Sequence, residues 1–266
     1  MRCLRIAAML LLVRFAASAG AQTTVRAAGL ASGPASGPVS VAEQYLFVQA
    51  NVEREQRGLP ALHWDAALYQ AATFHAREMA ARASISHQYP GEPDLADRGR
   101  EAGARFSTIA ENVAEAPTAV RIHDAWMQSE GHRANLLDGR VNAVGIRVLR
   151  RDGELYAVED FSRTVDRRTV GEQEMAVQSL LERVSTLTVL PATEETRRTC
   201  TMETGYAGAR KPWFVMRYTT ADLTRLPEQL RTQLASGRYH EVQIGACDAS
   251  DSAAFSSFKF AILLYP

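Results

Sequence analysis

The sequence predicts an α+β fold, and three observations carry that reading. Two stretches, 41–57 and 66–82, place apolar residues at helical spacing. Two alternating runs over 143–161 are joined by Asp152-Gly153, the pattern of a β-hairpin. After about Asp166 a second mixture of helical and strand-like segments follows, about one hundred residues long and sufficient for a small domain of its own.

The elements follow in chain order. In 41–57, Tyr45, Val48 and Val52 form the apolar positions, and Gly58 stands where a C-cap belongs. Asp65 is the expected N-cap of a helix over Ala66–Arg82, with Leu68, Ala72, His75 and Met79 on one face. His75 therefore sits within an apolar stripe and reads as a hydrogen-bonded core histidine rather than a ligand. Residues 84–110 show little periodicity beyond a short helical turn near 94–102. A helix over Pro117–Gln128 has proline at its first position and lines its inner face with Ala119, Ile122 and Trp126, which reads as core. Ser129 is expected to N-cap a short helix from Glu130. Beyond the hairpin come a helix over 172–185, a strand at 213–218, a helix at 226–234 with Pro227 near its start, and two strands at 239–247 and 258–265. "EVQIGA" at 241 faintly echoes "NAVGIR" at 142, although two strands often look alike.

Composition narrows the function classes. Apolar residues make up 46% of the 266, charged residues 23%, and the net charge is zero. Neither a basic stripe for nucleic acid nor a polybasic block for an anionic membrane is present. Arg2 and Arg5 followed by the apolar run Ile6–Val13 and the Ala19-Gly20-Ala21 site read as a signal peptide over 1–21, with Arg14 as an interruption. That run falls short of the roughly 20 residues a transmembrane helix needs, so no membrane span is expected in the mature chain. Residues 22–40, rich in Ala, Gly, Ser and Pro, read as a flexible linker. The expectation is a secreted or periplasmic protein. Export would leave Cys200 and Cys247, which read as one disulfide, with two free buried thiols as the alternative.

The residues that could carry chemistry are scattered. His132 lies in "SEGHRANLL", His87 in "SISHQYPG" and Glu111 in "IAENVAE". Taken singly, each is ordinary: a loop histidine is usually solvated, and a Glu-Asn pair usually ties a loop. HExxH, GxSxG, CxxC, P-loop and GxGxxG patterns are all missing. Asn112 and Asn135 read as ties between loops and backbone groups. Asp160 in "VEDF" lies at a strand end and could face the cleft, although a solvated strand end is the leading reading.

A chain of short motifs does connect them. "VQANVEREQRGLPALHWDAALYQAATFHAREMA", then "SH", "RGREAGA", "AENVA", "AWMQSEGHRANLL", "NAVGIRV" and "LYAVEDFS", in that order over about 43–163, resembles the CAP superfamily. That group comprises cysteine-rich secretory proteins, antigen 5 and pathogenesis-related proteins, and its module is also called the SCP domain. The W-x-x-S-x-G-H-R-x-N block is similar to the bacterial branch. The resemblance implies a three-layer α-β-α sandwich over 41–166, followed here by a small α+β C-terminal domain over 167–266. It also implies a cleft holding two histidines and two acids. Matched motif by motif, these fall on His87, Glu111 and His132, while the second acid falls on Ser129 and is lost. Ser129 and Asn112 would line the cleft. The disulfides typical of the family are impossible here, because 41–165 contains no cysteine.

Two imidazoles and a carboxylate form a partial ligand set for Zn²⁺ or another divalent cation. If the protein were an enzyme, His87, Glu111 and His132 would be its catalytic residues, acting in metal-assisted, peptidase-like hydrolysis. The leading expectation is instead a non-enzymatic binder of a lipid, sterol, cell-wall or protein ligand. An adhesion or scaffold module, with the C-terminal domain making the contact, is the third reading.

Overall fold

The computed structural model describes residues 37–248 and 255–266. The signal-peptide reading of 1–21, Cys3 and most of the linker lie outside the described residues. The first helix, α1 (Val41–Glu55), starts on a capping box: Ser40 receives the Glu43 backbone N–H while the Glu43 carboxylate receives that of Ser40. The same buried Glu43 also accepts the Val148 N–H at 3.1 Å, tying the start of α1 to the sheet. At the far end buried Arg54 donates to the carbonyls of Pro60, Leu136, Asp138 and Val141, which fixes the chain just after the segment that carries His132.

Next come β1 (His63–Trp64), α2 (Ala66–Arg82, capped by Asp65), α3 (Leu95–Glu101) and β2 (Phe106–Ala116). Helices α4 (Ala119–Gln128) and α5 (Glu130–Leu136) precede the hairpin β3 (Ala143–Arg151) and β4 (Glu154–Thr164). The sheet order is β1-β3-β4-β2, with β1 parallel to β3 and the other pairs antiparallel. Val144, Ile146 and Phe161 face α1 and α4 through Leu46, Ala50, Ile122 and Trp126. On the opposite face Val113 and Val158 meet Ala72, Ala76 and Met79 of α2. This is the expected three-layer sandwich. Gly145 permits it to close, since a Cβ there would lie 2.1 Å from the Tyr69 backbone nitrogen.

The second half runs α6 (Val170–Val184), β5 (Thr188–Leu190), α7 (Glu194–Thr201), β6 (Phe214–Thr220), α8 (Glu228–Leu234), β7 (Glu241–Cys247) and β8 (Phe258–Tyr265). Its sheet order is β5-β7-β8-β6, again with only the short first strand parallel. Val177, Leu181 and Leu230 cover one face of this sheet, and Cys200 on α7 packs on the other. The plan of the first sheet is thus repeated. Gly145 stands beside Asp160 and then Glu111; Gly245 stands beside Ala261 and then Arg217. A Cβ on Gly245 would lie 2.3 Å from the Thr196 carbonyl oxygen, three residues past the α7 cap, as Leu68 lies three past the α2 cap. The echo between "NAVGIR" and "EVQIGA" marks these paired strands. Cys200 and Cys247 form a disulfide between α7 and β7.

Several local expectations shift. The hairpin turns at Asp152 and Gly153, both at positive φ, as a tight Asp-Gly turn requires. Pro117 precedes α4 instead of starting it, because Thr118 takes the cap and receives the Arg121 N–H. Pro227 occupies the cap position of α8. Helix α1 stops at Glu55, before the left-handed Gly58. Ser129 stands at the cap position of α5, but its side chain caps nothing.

Candidate functional site

Strand β2 provides Glu111 from the face that looks toward α2 and α3. Arg98 of α3, almost fully buried, donates to Glu111 Oε2 at 2.5 Å, and His87 Nδ1 donates to Oε1 at 2.9 Å. Both carboxylate oxygens are therefore occupied. Arg98 also donates to the carbonyls of His87 and Pro93, so one guanidinium braces the acid and the loop opposite it.

That loop is built around His75. Its Nδ1 lies 2.6 Å from Glu92 Oε1, and its Nε2 lies 2.7 Å from the Ser86 carbonyl oxygen. Glu92 in turn accepts the Tyr89 N–H. His75 is thus a hydrogen-bonded core histidine, and it shapes the turn that presents His87.

His132 arrives from the other side, on α5. Asn112 donates to the His132 carbonyl at 3.0 Å, and Asn135 donates to the Glu111 carbonyl and to Asn112 Oδ1. Trp126 Nε1 donates to the Val113 carbonyl and fastens α4 to the same strand. The rings of His87 and His132 come to rest 6.4 Å apart, centroid to centroid. The three residues singled out in sequence thus lie together, with the His87 ring exposed, that of His132 half-buried and Glu111 buried behind His87.

Charge differs between the two rings. The hydrogen bond to Glu111 pushes the His87 pKa up, with burial opposing it. Burial pushes the His132 pKa down, and the neighbouring His87 adds to that. Of the two neighbouring imidazoles, His87 is thus the easier to protonate and His132 the harder.

Beneath them is an acid that spacing did not single out for this role. Asp160 stands directly across from Glu111 in the strand pair. It is fully buried rather than a solvated strand end, and neither of its carboxylate oxygens has a hydrogen-bond partner. Burial, and then the Glu111 charge, push its pKa well up. Glu159, on the opposite face of β4, is also buried, and among the described residues its side chain accepts a hydrogen bond only from the Asn112 amide, at 3.4 Å. Burial raises its pKa to about 8.

As placed, the donors are not assembled around a tetrahedral Zn²⁺: with Zn–N at about 2.0 Å, two imidazoles on one zinc bring their centroids to roughly 5.2 Å, against 6.4 Å here. The carboxylate beside the imidazoles, Glu111, already accepts hydrogen bonds from Arg98 and His87. Ser129 brings no acid, and among the described residues no group of three or more His, Cys, Asp or Glu is arranged to hold a metal ion.

Comparison with known proteins agrees with the motifs. Residues 49–161 match the model of the CAP, cysteine-rich secretory protein family. YkwD of Bacillus subtilis (strain 168), an uncharacterized protein, is 31% identical over 109 residues, 41% of this chain and 42% of that protein. The uncharacterized membrane protein YlbC of the same organism is 31% identical over 116 residues, 42% of this chain and 33% of YlbC. The chain therefore spans less than half the length of either relative. An extracellular SCP-domain protein from Bacillus anthracis str. Ames is 29% identical, covering 48% of this chain and 45% of that one with a TM-score of 0.42. No helix among the described residues is long and apolar enough to cross a membrane. The match to the CAP family is confined to residues 49–161.

Proposed function

We propose that this CAP-domain protein is an exported binding protein whose ligand docks on His87 and His132, and that it does not turn that ligand over. The observation that supports this is the commitment of Glu111. A general base must reach the proton it takes. Glu111 is buried, with Arg98 and His87 each donating to one of its oxygens, and Asp160 is sealed beneath it. What faces outward is an imidazole pair with one member prone to carry charge, suited to an acceptor group on a lipid, cell-wall fragment or protein.

Native mass spectrometry of the chain, recovered from the periplasm or medium of the producing cells, tests the reading. The expected result is a co-purified ligand that is absent from the His87→Ala/His132→Ala variant. Chelator-sensitive turnover of a peptide or ester panel, lost in that variant, would overturn it in favour of a hydrolase.

A further inference from the structure

A second surface begins next to the histidine pair. A shallow groove of about 940 Å³ opens between the loop before His87 and helix α4. Ile85, two residues before His87, forms one wall, and Gln128, four before His132, closes the other. Its apolar lining is unusually open, since Ile85 and Val120 each expose 49% of their surface, with Pro117 between β2 and α4.

The rim has one dominant sign. Glu115, Asp124 and Glu154 line it against a single cation, Arg121. Among the described residues none of these three carboxylates is held in an ion pair, although Glu115 accepts the Tyr156 hydroxyl hydrogen bond. In a chain of zero net charge this is a local excess of negative charge over an apolar floor. An anionic headgroup is repelled there, and a purely apolar ligand would leave the carboxylates unmatched.

Distance relates the groove to the histidines. Glu115 is four residues beyond Glu111 on the same face of β2, which is about 13 Å along a strand. An extended peptide covers that in about four residues.

We infer that the groove takes an extended peptide segment whose apolar side chains seat on Ile85, Pro117 and Val120 while flanking lysines or arginines meet Asp124, Glu154 and Glu115. This extends the binding reading by naming a ligand class, and it can fail while the histidine site stands. Basic side chains draw the segment in, and the apolar contact sets its lifetime.

The test uses the full chain and fluorescein-labelled Lys-Leu-Lys-Leu-Lys, read by fluorescence anisotropy, with Glu-Leu-Glu-Leu-Glu and Lys-Ser-Lys-Ser-Lys as controls. Only the first is expected to bind, more weakly in 300 mM than in 25 mM NaCl. Asp124→Lys/Glu154→Lys should weaken it at least tenfold and Val120→Ser several-fold, each with an unchanged circular dichroism spectrum. His87→Ala/His132→Ala should leave this pentapeptide's affinity as it is, which separates the two sites. Equal binding of the acidic peptide, or full affinity in the doubly reversed variant, would overturn the inference. So would tighter binding to cationic-lipid vesicles than to the peptide, which would assign the groove to a membrane.

Discussion

Replacing Glu159 by Gln should stabilise the protein, increasingly so as pH rises. The carboxyl is fully buried, and among the described residues its Oε1 has no hydrogen-bond partner and its Oε2 has only the Asn112 amide, at 3.4 Å. Burial therefore holds its proton up to about pH 8, against an ordinary value of 4.5. In the unfolded chain the proton leaves near the ordinary value. Between these limits the folded state binds more protons than the unfolded one, so stability falls as pH rises. At about 1.4 kcal/mol per pH unit, the cost is below about 1 kcal/mol at pH 5 and reaches about 3 kcal/mol at pH 7. Glutamine keeps the shape and has no proton to lose, so the variant escapes this slope. Urea denaturation of both proteins at pH 5, 6, 7 and 8 measures the difference directly. Curves that stay parallel over that range would show that Glu159 finds a partner when ionised, and the burial argument would fail.

Four further outcomes follow from the same contacts. Arg98→Met leaves Glu111 buried without its cation and should cost about 3 to 5 kcal/mol, seen as a lower urea midpoint. Glu111→Gln removes the carboxylate that raises the His87 pKa, so the imidazole titration followed by NMR should move down. In the wild type the stabilisation from that pair is complete below the ordinary histidine pKa and is lost as pH rises through the raised one. Gly145→Ala drives a methyl into the α2 backbone at 2.1 Å, and a loss of about 3 kcal/mol or more in thermal unfolding is expected. Reducing the Cys200–Cys247 bridge, with its 47-residue separation, should cost about 4 kcal/mol in the chain-entropy model, measured by denaturation with and without reductant.

Strong periodicity made α1, α2, α4 and the β3–β4 hairpin legible. Strand β2 was not, because Ser107, Thr108, Glu111, Asn112 and Glu115 break any alternation of apolar residues; it is an edge strand whose side chains serve the cleft. The short β1, β5 and α7 left too few residues for a period to show. Within the site, His87, Glu111 and His132 were found through motif order, since no spacing along the chain connects them. Arg98 and Glu92 escaped because their loop and short helix carry many charged residues, and only the fold tells which of those turns inward. Asp160 reads first as a solvated strand end, with the cleft as the alternative, for the opposite reason. A charged residue near the end of an apolar run ordinarily points to water, and only the pairing of β4 with β2 puts it behind Glu111.

Both sheets follow one plan, yet Arg217 and Ala261 stand where the first has Glu111 and Asp160. The second sheet therefore repeats the framework without the two acids. A compound that bound the helix-and-sheet framework would saturate at two per chain, whereas one that reads the imidazoles would saturate at one. The molar ratio at saturation, measured on unaltered protein, tells these apart before any residue is changed.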